Sequence, residues 1–494
     1  MLSAKLITHR SASVLEEKFK QLTIQFSMFS FQCSFLKSRL LSRILIVCGL
    51  QLMACNFLIA QDNSPYSRYG IGDLHPTSHI LNRGMAGLSA GFADQLSVNF
   101  SNPASYSSFY SLQEARSKKS AYGRMLLDVG LNFDNRTLRE PNNPQKFTAP
   151  NAYFSYLQIG IPLRKNWGMV LGLRPVSRIS YDVFKKERLT DPNTGLPIDS
   201  AITQFNGDGG SYLVNTGAGY AIKNFSMGFN AGYLFGKKDY STRRTLLNDS
   251  VAYKRSNHQT RSTFGDLFLN MGLQYRIDLN KGKTKYLQLG LTGNLKHELN
   301  ARRDIIRETY FRFPDGGEFR QDSVSEQLDI KGIVNYPASF TAGFLFEQLP
   351  DAEKIGWLFG IDYTKNNWDD YRFYGQLDSV KSNWQLKIGG QLKPSLKETK
   401  YKNLISYRAG VFFGNDYIHI NQKLPELGIT GGISLPIANL KDAGRRFRTQ
   451  YSVINISAEY IKRGNKDNIL RENLFRVSVG FSLSDLWFTK RKYD

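Results

Sequence analysis

Apolar and polar side chains alternate with a period of two through most of the chain, from residue 121 to the C-terminus. In residues 475–483 every second side chain is Phe, Val or Leu, and the side chains between them are Arg, Ser or Gly. Similar stretches occur at 125–133, 225–235, 287–296, 384–391 and 427–437. Successive side chains of a β-strand point to opposite faces, so this pattern predicts strands with one apolar and one polar face.

We predict fourteen strands, centred near residues 128, 157, 174, 216, 230, 271, 291, 341, 361, 387, 409, 432, 456 and 480. A soluble β-sandwich also alternates, but these apolar faces continue for roughly 10 residues, the length of a tilted strand that crosses a bilayer. Short links follow the second, fourth and sixth strands, and long polar loops are expected at 135–150, 185–210, 237–262 and 302–334. Outer-membrane barrels have an even number of strands, short periplasmic turns and longer external loops. The predicted fold is therefore all-β, a 14-stranded antiparallel transmembrane β-barrel in the cell outer membrane.

A stretch of small residues precedes the predicted barrel. Residues 82–90 and 99–105 are rich in Gly, Ala, Ser and Asn and carry almost no charge. Small residues with permissive backbones suit a segment that folds compactly in a confined space. We predict that residues 61–120 form an N-terminal extension and a plug in the lumen, and that residues 121–494 form the barrel.

The first 60 residues are predicted to be a signal peptide. Three basic residues precede a short apolar run, and Ala60 precedes a polar stretch, an order typical of a secretory leader cleaved after Ala60. Residues 1–27 fit no part of a signal, which indicates a true start at Met28. The competing interpretation is a lipobox that ends in Cys55. We rank it lower because apolar residues continue beyond Cys55.

Composition narrows the possible chemistry and partners. All three cysteines lie in the predicted leader, so disulfide frameworks, thiol catalysis and Cys-based zinc sites are excluded from the mature protein. The formal net charge is +23, and a basic surface attracts polyanions. In an exported protein these are lipid phosphates and lipopolysaccharide. We therefore expect outer-membrane lipids and lipopolysaccharide as partners, and no nucleic acid.

Candidate residues for catalysis or for a cofactor site are few. His75 and His79 have the spacing of two metal ligands on a helix, but Pro76 lies between them, and we assign them to the plug as polar residues. The sequence contains no phosphate loop, zinc pattern or calcium loop. We expect no catalytic residue, no metal site, no cofactor and no enzymatic activity.

The plug and the fourteen strands together resemble the FadL outer-membrane family. An Arg-Gly-x-x-Gly stretch and an Asn-Pro-Ala element carry the resemblance, through Arg83, Gly84, Gly87, Asn102, Pro103 and Ala104. The lead-in 65–73 and the tail 487–494 resemble a FadL-like branch, near PorV, in bacteria that use type IX secretion. The resemblance implies import of hydrophobic molecules and their lateral release through a gap at a kinked strand. It identifies no ligand-binding residue.

Pro175 is the candidate for such a wall opening. It lies in the third predicted strand, and proline has no N–H to donate to a strand ladder, so it belongs at a bulge or at a local opening. A bulge without any role in transport is the alternative.

Two functions remain open at this point. The one predicted first is a channel or binding protein for a hydrophobic small molecule, which requires an apolar lumen beside the plug. The alternative is a non-transporting, PorV-like subunit or shuttle in secretion or outer-membrane assembly, with other envelope or secretion proteins as partners and a sealed, polar lumen. The predicted inward positions are polar, namely Gln288, Asn294, Lys296, Gln385, Lys387, Arg476 and Ser478. They argue against an apolar conduit through much of the lumen but leave room for a pocket near the plug.

Overall fold

The computed structural model describes residues 64–113, 120–141, 143–190, 193–195, 197–247, 253–313, 317–351, 353–395, 401–437 and 451–487. The predicted leader, with its cleavage site and Cys55, and residues 488–494 of the tail lie outside the described residues. Within the described ranges, no helix is long and apolar enough to span a membrane.

Strands account for most of the described residues. In chain order they are β1 (Asp73–Leu74), β2 (Ser111–Gln113), β3 (Ser120–Arg139), β4 (Lys146–Arg164), β5 (Trp167–Thr190), β6 (Pro197–Ile222), β7 (Phe225–Leu247), β8 (Arg255–Asp278), β9 (Lys285–Asn294), β10 (His297–Arg312), β11 (Glu318–Tyr336), β12 (Ser339–Gln348), β13 (Gly356–Asn366), β14 (Arg372–Phe373), β15 (Asn383–Lys393), β16 (Ser406–Ile420), β17 (Gln422–Ile437), β18 (Tyr451–Arg463) and β19 (Arg471–Trp487). A short helix, α1, spans Ile80–Arg83, and 3-10 turns cover Pro65–Arg68, Pro103–Ser108, Trp368–Asp370 and Tyr401–Leu404.

Strands β3 to β13 and β15 to β19 form a closed antiparallel barrel. Closure comes from β19, which pairs with β3 from Arg471 opposite Arg139 to Trp487 opposite Gly123. Strands β9 and β10 both pair with β8 and are two halves of one barrel strand, and β11 and β12 are the halves of the next. Counted in this way, the described residues form fourteen barrel strands, and every predicted centre lies within one of them. The predicted 14-stranded antiparallel barrel is confirmed.

The outer surface of this barrel is apolar and its inner surface is polar. On β19, the side chains of Phe475 and Leu483 are 48% and 42% exposed, while Arg476 and Ser478 are buried. Large apolar residues are exposed in the same way on the other strands, for example Leu171, Phe229, Leu291, Phe359, Val411 and Ile429. A continuous apolar band around a closed barrel is stable only when lipid covers it. The chain therefore spans a membrane as a β-barrel.

The predicted long outer loops are largely strand. Strands β5 and β6 stay paired as far as Thr190 opposite Pro197. Residues 185–210, 237–262 and 302–334 accordingly lie mostly in β-hairpins that extend beyond the apolar band. In the outer part of β11, residues 318–329 are exposed on both faces, so neither face needs to be apolar, and the sequence pattern fades while backbone pairing continues.

One predicted inward position is wrong. Lys296 is exposed and lies in the break between β9 and β10, outside both strands. This break is opposite Pro337, where β11 and β12 separate, because pairing stops at Asn294 opposite Ser339 and resumes at His297. Proline cannot donate a hydrogen bond to the ladder. The alternation of inward and outward side chains is therefore not continuous across this point.

The barrel wall is split between β4 and β5. Their pairing ends at Leu157 opposite Leu173. Pro175 lies two residues further out, and Val176 is an unpaired bulge residue between β5 and β6. Because proline offers no N–H, β5 lacks one backbone donor next to the point where β4 and β5 separate.

Strand β1 fills part of this split from the inside. Asp73 is opposite Arg178 and Leu74 is opposite Ser177 on the free edge of β5. The N–H of the next residue, His75, donates to the carbonyl of Val176 at 2.9 Å. The wall is therefore completed here by chain from the N-terminal region.

Residues 64–113, which we call the inner segment, lie in the lumen. Inward-facing glycines make room for its backbone, since an added Cβ at Gly290, Gly389 or Gly410 would lie within 2.6 Å of the segment's main-chain atoms. These glycines are on β9, β15 and β16, and Gly228 on β7 approaches Pro103 in the same way. The inner segment therefore contacts the barrel around much of its circumference.

The lipid-facing assignment of β19 predicts the effect of a charge at its centre. We expect Val479→Arg to destabilise the inserted barrel by ~2–4 kcal/mol, because arginine near the bilayer midplane must leave water. The measurement is the temperature at which heat-modifiable gel migration is lost. The control is Val324→Arg on an external hairpin, where the side chain is already exposed. Equal behaviour of the two variants would contradict the assignment.

Candidate functional site

Arg83 anchors the inner segment to three barrel strands. It ends α1, is almost completely buried, and donates from Nε to the carbonyl of Ser78 at 3.1 Å. Its Nη1 donates to Asn132 Oδ1 at 2.7 Å and to Ser478 Oγ, and its Nη2 donates to Ser155 Oγ at 2.6 Å. A buried guanidinium needs this many acceptors because each unpaired N–H costs free energy.

The glycines after Arg83 allow the backbone of the inner segment to contact the backbone of the barrel wall. A Cβ on Gly84 would lie 2.9 Å from the Cα of Gly432 on β17. Gly87 has φ +78°, a left-handed conformation that favours glycine, and its N–H donates to the carbonyl of Asn82 at 2.8 Å. The N–H of Ala86 donates to Thr430 Oγ1 at 2.9 Å. The Arg-Gly-x-x-Gly stretch thus forms a tight turn against the barrel wall.

The Asn-Pro-Ala element forms the second turn of the inner segment. Asn102 is fully buried, its Oδ1 accepts from the N–H of Ala104 at 3.1 Å, and its Nδ2 donates to the carbonyl of Ala90 at 2.6 Å. It therefore caps the 3-10 turn that begins at Pro103 and ties this turn to the preceding one. Proline suits this first position because its fixed φ matches a helical turn and the missing N–H has no partner there.

Two carboxylates on barrel strands bind backbone amides of the inner segment. Asp362 on β13 accepts from the N–H of Ser89 at 2.7 Å and of Ala90 at 2.9 Å. Asp128 on β3 accepts from the N–H of Val98 at 2.6 Å. Hydrogen bonds to a charged acceptor are about twice as strong as neutral ones. These carboxylates therefore hold the inner segment at two well-separated places.

A network of ion pairs lies where β1 meets the wall. Asp73 pairs with Arg136 and with Arg463, whose Nη1 is 3.0 Å from the carboxylate. Glu472 pairs with the same two arginines at 2.9 and 3.0 Å, and Asp416 pairs with Arg463 at 2.7 Å. The network joins the inner segment to β3, β16, β18 and β19.

Burial and nearby charges fix the protonation states of Asp73 in β1 and of His75, the residue that follows β1. Burial alone would raise the pKa of the Asp73 carboxyl, but the attraction of Arg136 and Arg463 outweighs burial and holds this pKa well below its usual range. Burial lowers the pKa of His75 to about 3, and the charge of Arg476 acts in the same direction. At neutral pH the aspartate is therefore ionised and the imidazole is neutral.

A cavity of about 330 Å³ lies beside the inner segment. Five carboxylates and six Lys or Arg side chains are among the residues that line it. One side is aromatic, with Phe100, Phe268, Tyr336 and Trp368, and the guanidinium of Arg174 lies 5.8 Å from the ring centre of Phe100. The cavity is thus mostly charged and only locally apolar.

A family model described as BamG matches residues 41–494 of the chain. The chain belongs to the BamG family. Comparison with curated proteins gives no match.

Solved structures similar to this BamG-family chain include hydrocarbon channels and transporters by their descriptions. One is the CymD monoaromatic hydrocarbon channel, 13% identical with a TM-score of 0.47, with 84% of this chain and 98% of that chain covered. Another is the Pseudomonas putida toluene transporter TodX, 15% identical with a TM-score of 0.46, with 84% and 99% covered. A third is a Pseudomonas aeruginosa FadL homologue, 13% identical with a TM-score of 0.46, with 85% and 100% covered. The finer placement near PorV stays a prediction.

In this BamG-family barrel the predicted plug residues lie in one segment and the predicted wall residue lies apart from them. Arg83, Gly84, Gly87 and the Asn-Pro-Ala element form the two turns of the inner segment, whereas Pro175 lies on the wall at the split. Their roles in blocking or opening the lumen stay predictions. Among the described residues, no group of three or more His, Cys, Asp or Glu side chains is arranged to hold a metal ion.

Sequence reasoning missed the carboxylates that bind the inner segment. Asp128 and Asp362 are single acidic residues among small, polar or apolar neighbours on their strands. An isolated carboxylate at an inward position is costly unless it finds a donor, and this is the signal that could have identified them.

The contact between Gly84 and β17 predicts a position-specific effect of one methyl group. We expect Gly432→Ala to destabilise the protein by about 1–3 kcal/mol, because its Cβ would lie 2.8 Å from Gly84 Cα. The adjacent Gly431→Ala is the matched control, since its Cβ would meet nothing closer than 3.9 Å. Thermal unfolding midpoints of both variants in detergent test this. Equal midpoints would show that the inner segment does not press on β17.

Proposed function

We propose that this protein is a closed, non-transporting barrel of the outer membrane that serves as a subunit or shuttle for other envelope proteins and has no enzymatic role. The observation that carries the proposal is the direct contact between the backbone of the inner segment and inward glycines on β7, β9, β15, β16 and β17. Contacts without intervening side chains leave no space for a solute at these points between the segment and the strands.

The charges of the lumen support the same function. Removing one partner of a buried ion pair costs about 3–5 kcal/mol, because the other charge is left without compensation. Movement of the inner segment would separate Asp73 from Arg136 and Arg463, and would take amide donors away from Asp128 and Asp362. A hydrophobic solute offers nothing to replace these partners. The inner segment is therefore a permanent part of the barrel in our proposal.

A channel for a hydrophobic small molecule is the second candidate. It is favoured by the split between β4 and β5 beside Pro175 and by the aromatic side of the 330 Å³ cavity. Val176, next to Pro175, lines this cavity. A lateral route would then require β1 to leave the edge of β5.

Removing the centre of the inner segment tests the proposed function. We expect deletion of residues 82–105 to leave a barrel that still inserts, because the strands supply their own ladder and apolar band. The deletion should create a conductance in planar bilayers that the intact protein lacks.

The control deletion is residues 307–325 in the external hairpin of β10 and β11, which removes a similar length of chain outside the apolar band and should leave conductance unchanged. If the 82–105 deletion conducts no better than the intact protein, the inner segment is not the barrier.

The second candidate has its own variant, Pro175→Val, which restores a backbone N–H at the split. Transport through the split would make uptake of a labelled fatty acid into proteoliposomes fall severalfold in this variant. Our proposal expects wild type and variant to match protein-free liposomes. Wild-type uptake above that background, reduced by the substitution, would replace our proposal with the channel.

A further inference from the structure

A second cavity, of about 450 Å³, lies at the end of the barrel opposite to the extended hairpins. Leu81 and Phe92 of the inner segment form one side of it, and residues of β15 to β19 form the other. Pro350 and Pro394, in the connections that follow β12 and β15, lie at its edge. These connections are on the periplasmic side, so the cavity is placed to meet a periplasmic partner.

Arg408 on β16 lines this cavity, and no carboxylate of the described residues is in direct contact with it. Its side chain is only 7% exposed, and its Nη1 donates to the neutral hydroxyl of Ser434 at 2.6 Å. Its Nε is buried without a hydrogen-bond partner, and no carboxylate among the described residues is within ion-pair distance of it. Asp94 also lines the cavity and attracts Arg408, but from beyond ion-pair distance, and its carboxylate accepts from the N–H of Gln95 and from the Ser97 hydroxyl. A buried charge without a counter-ion in direct contact is costly and leaves room for an anion beside it.

Gln391 on β15 is directly opposite Arg408, and it has a buried acceptor that lacks a donor. Its side chain is 6% exposed, it lines the same cavity, and its Oε1 is buried without a donor. An unpaired donor with positive charge and an unpaired acceptor therefore lie side by side. A ligand that satisfies both needs an anionic oxygen and a nearby N–H.

The rest of the lining selects the class of ligand further. Leu81, Phe92, Leu96 and Val453 offer apolar contact, while Ser406 and Asn455 offer further hydrogen bonds. A fatty acid has the anion but no N–H for Gln391, and the N–H groups of a phosphatidylethanolamine belong to an ammonium, whose positive charge is disfavoured beside Arg408. The terminal residue of a polypeptide has a carboxylate, a backbone N–H and a side chain within a few ångströms of each other.

We propose that this cavity binds the carboxyl-terminal residues of a partner polypeptide. The terminal carboxylate accepts from Arg408, the last backbone N–H donates to Gln391 Oε1, and an apolar terminal side chain packs against Leu81 and Phe92. Carboxylate capture is a recurrent mode of peptide recognition. The inference rests on the proposed function for the existence of a partner protein.

The test uses the full-length protein in nanodiscs and two pools of fluorescent octapeptides of random sequence, one with free carboxyl termini and one amidated. We expect the free-acid pool to be retained about 10- to 100-fold better, because a charged hydrogen bond is lost in the amide. Sequencing of the retained peptides should show apolar final residues. Equal retention of the two pools, or retention of neither, overturns the inference.

Two substitutions locate the binding site. Arg408→Met and Gln391→Leu should each abolish the preference for the free acid, while Arg302→Met, on an exposed external strand, should leave it intact. Heat-modifiable migration checks that each variant folds. If a variant does not fold, the comparison of free-acid and amidated peptides on the wild-type protein still tests the inference. A preference that survives both cavity substitutions places the peptide elsewhere and overturns the assignment. A barrel that stays closed to ions but binds no peptide refutes this inference alone, whereas an open barrel that binds peptide refutes the proposed function.

Discussion

Every polar group inside this barrel must find a partner without bulk water, and the rest of the structure depends on that constraint. Fourteen strands enclose a lumen that inward Gly, Ser and Asn side chains cannot fill. The inner segment occupies much of it, but it brings its own amides and carbonyls, which are costly when buried alone. Asp362 and Asp128 accept from those amides, and Arg83 donates to barrel hydroxyls and to an amide oxygen. Glycines on the facing strands let the two backbones approach closely enough for these bonds to form.

The same constraint explains how a split wall is tolerated. The ladder between β4 and β5 is regular from Pro162 opposite Gly168 to Leu157 opposite Leu173, where it ends. Pro175 and the Val176 bulge follow on β5, in its pairing with β6. An open sheet edge at this point would expose unpaired backbone groups. Strand β1 pairs with that edge, and the ion pairs of Asp73 hold β1 in place. The same few residues of the inner segment thus lie in the lumen and close the wall. Displacing the segment from the lumen would therefore also disturb the wall.

The barrel could be predicted from the sequence because lipid imposes an apolar face on every spanning strand. Each strand can be recognised from the alternation of its own residues, as 475–483 shows, without reference to the strands that pair with it. The external hairpins could not be predicted, since water on both faces removes that local signal. The site was harder still: Asp128 and Val98, or Gly432 and Gly84, are partners only after the chain has folded. Motif resemblance picked out the turns of the inner segment, but it could not show which barrel residues those turns contact.

Hydrogen–deuterium exchange of the intact, unmodified protein tests most directly whether the inner segment is a fixed part of the barrel. The amides of Ser89, Ala90 and Val98 are the informative ones, because carboxylates on the barrel wall accept their hydrogen bonds. A locked segment predicts exchange as slow as that of the central amides of β15 to β17. Exchange as fast as that of the external turn 193–195 would mean that the segment leaves the lumen readily, and it would contradict the account of a closed barrel.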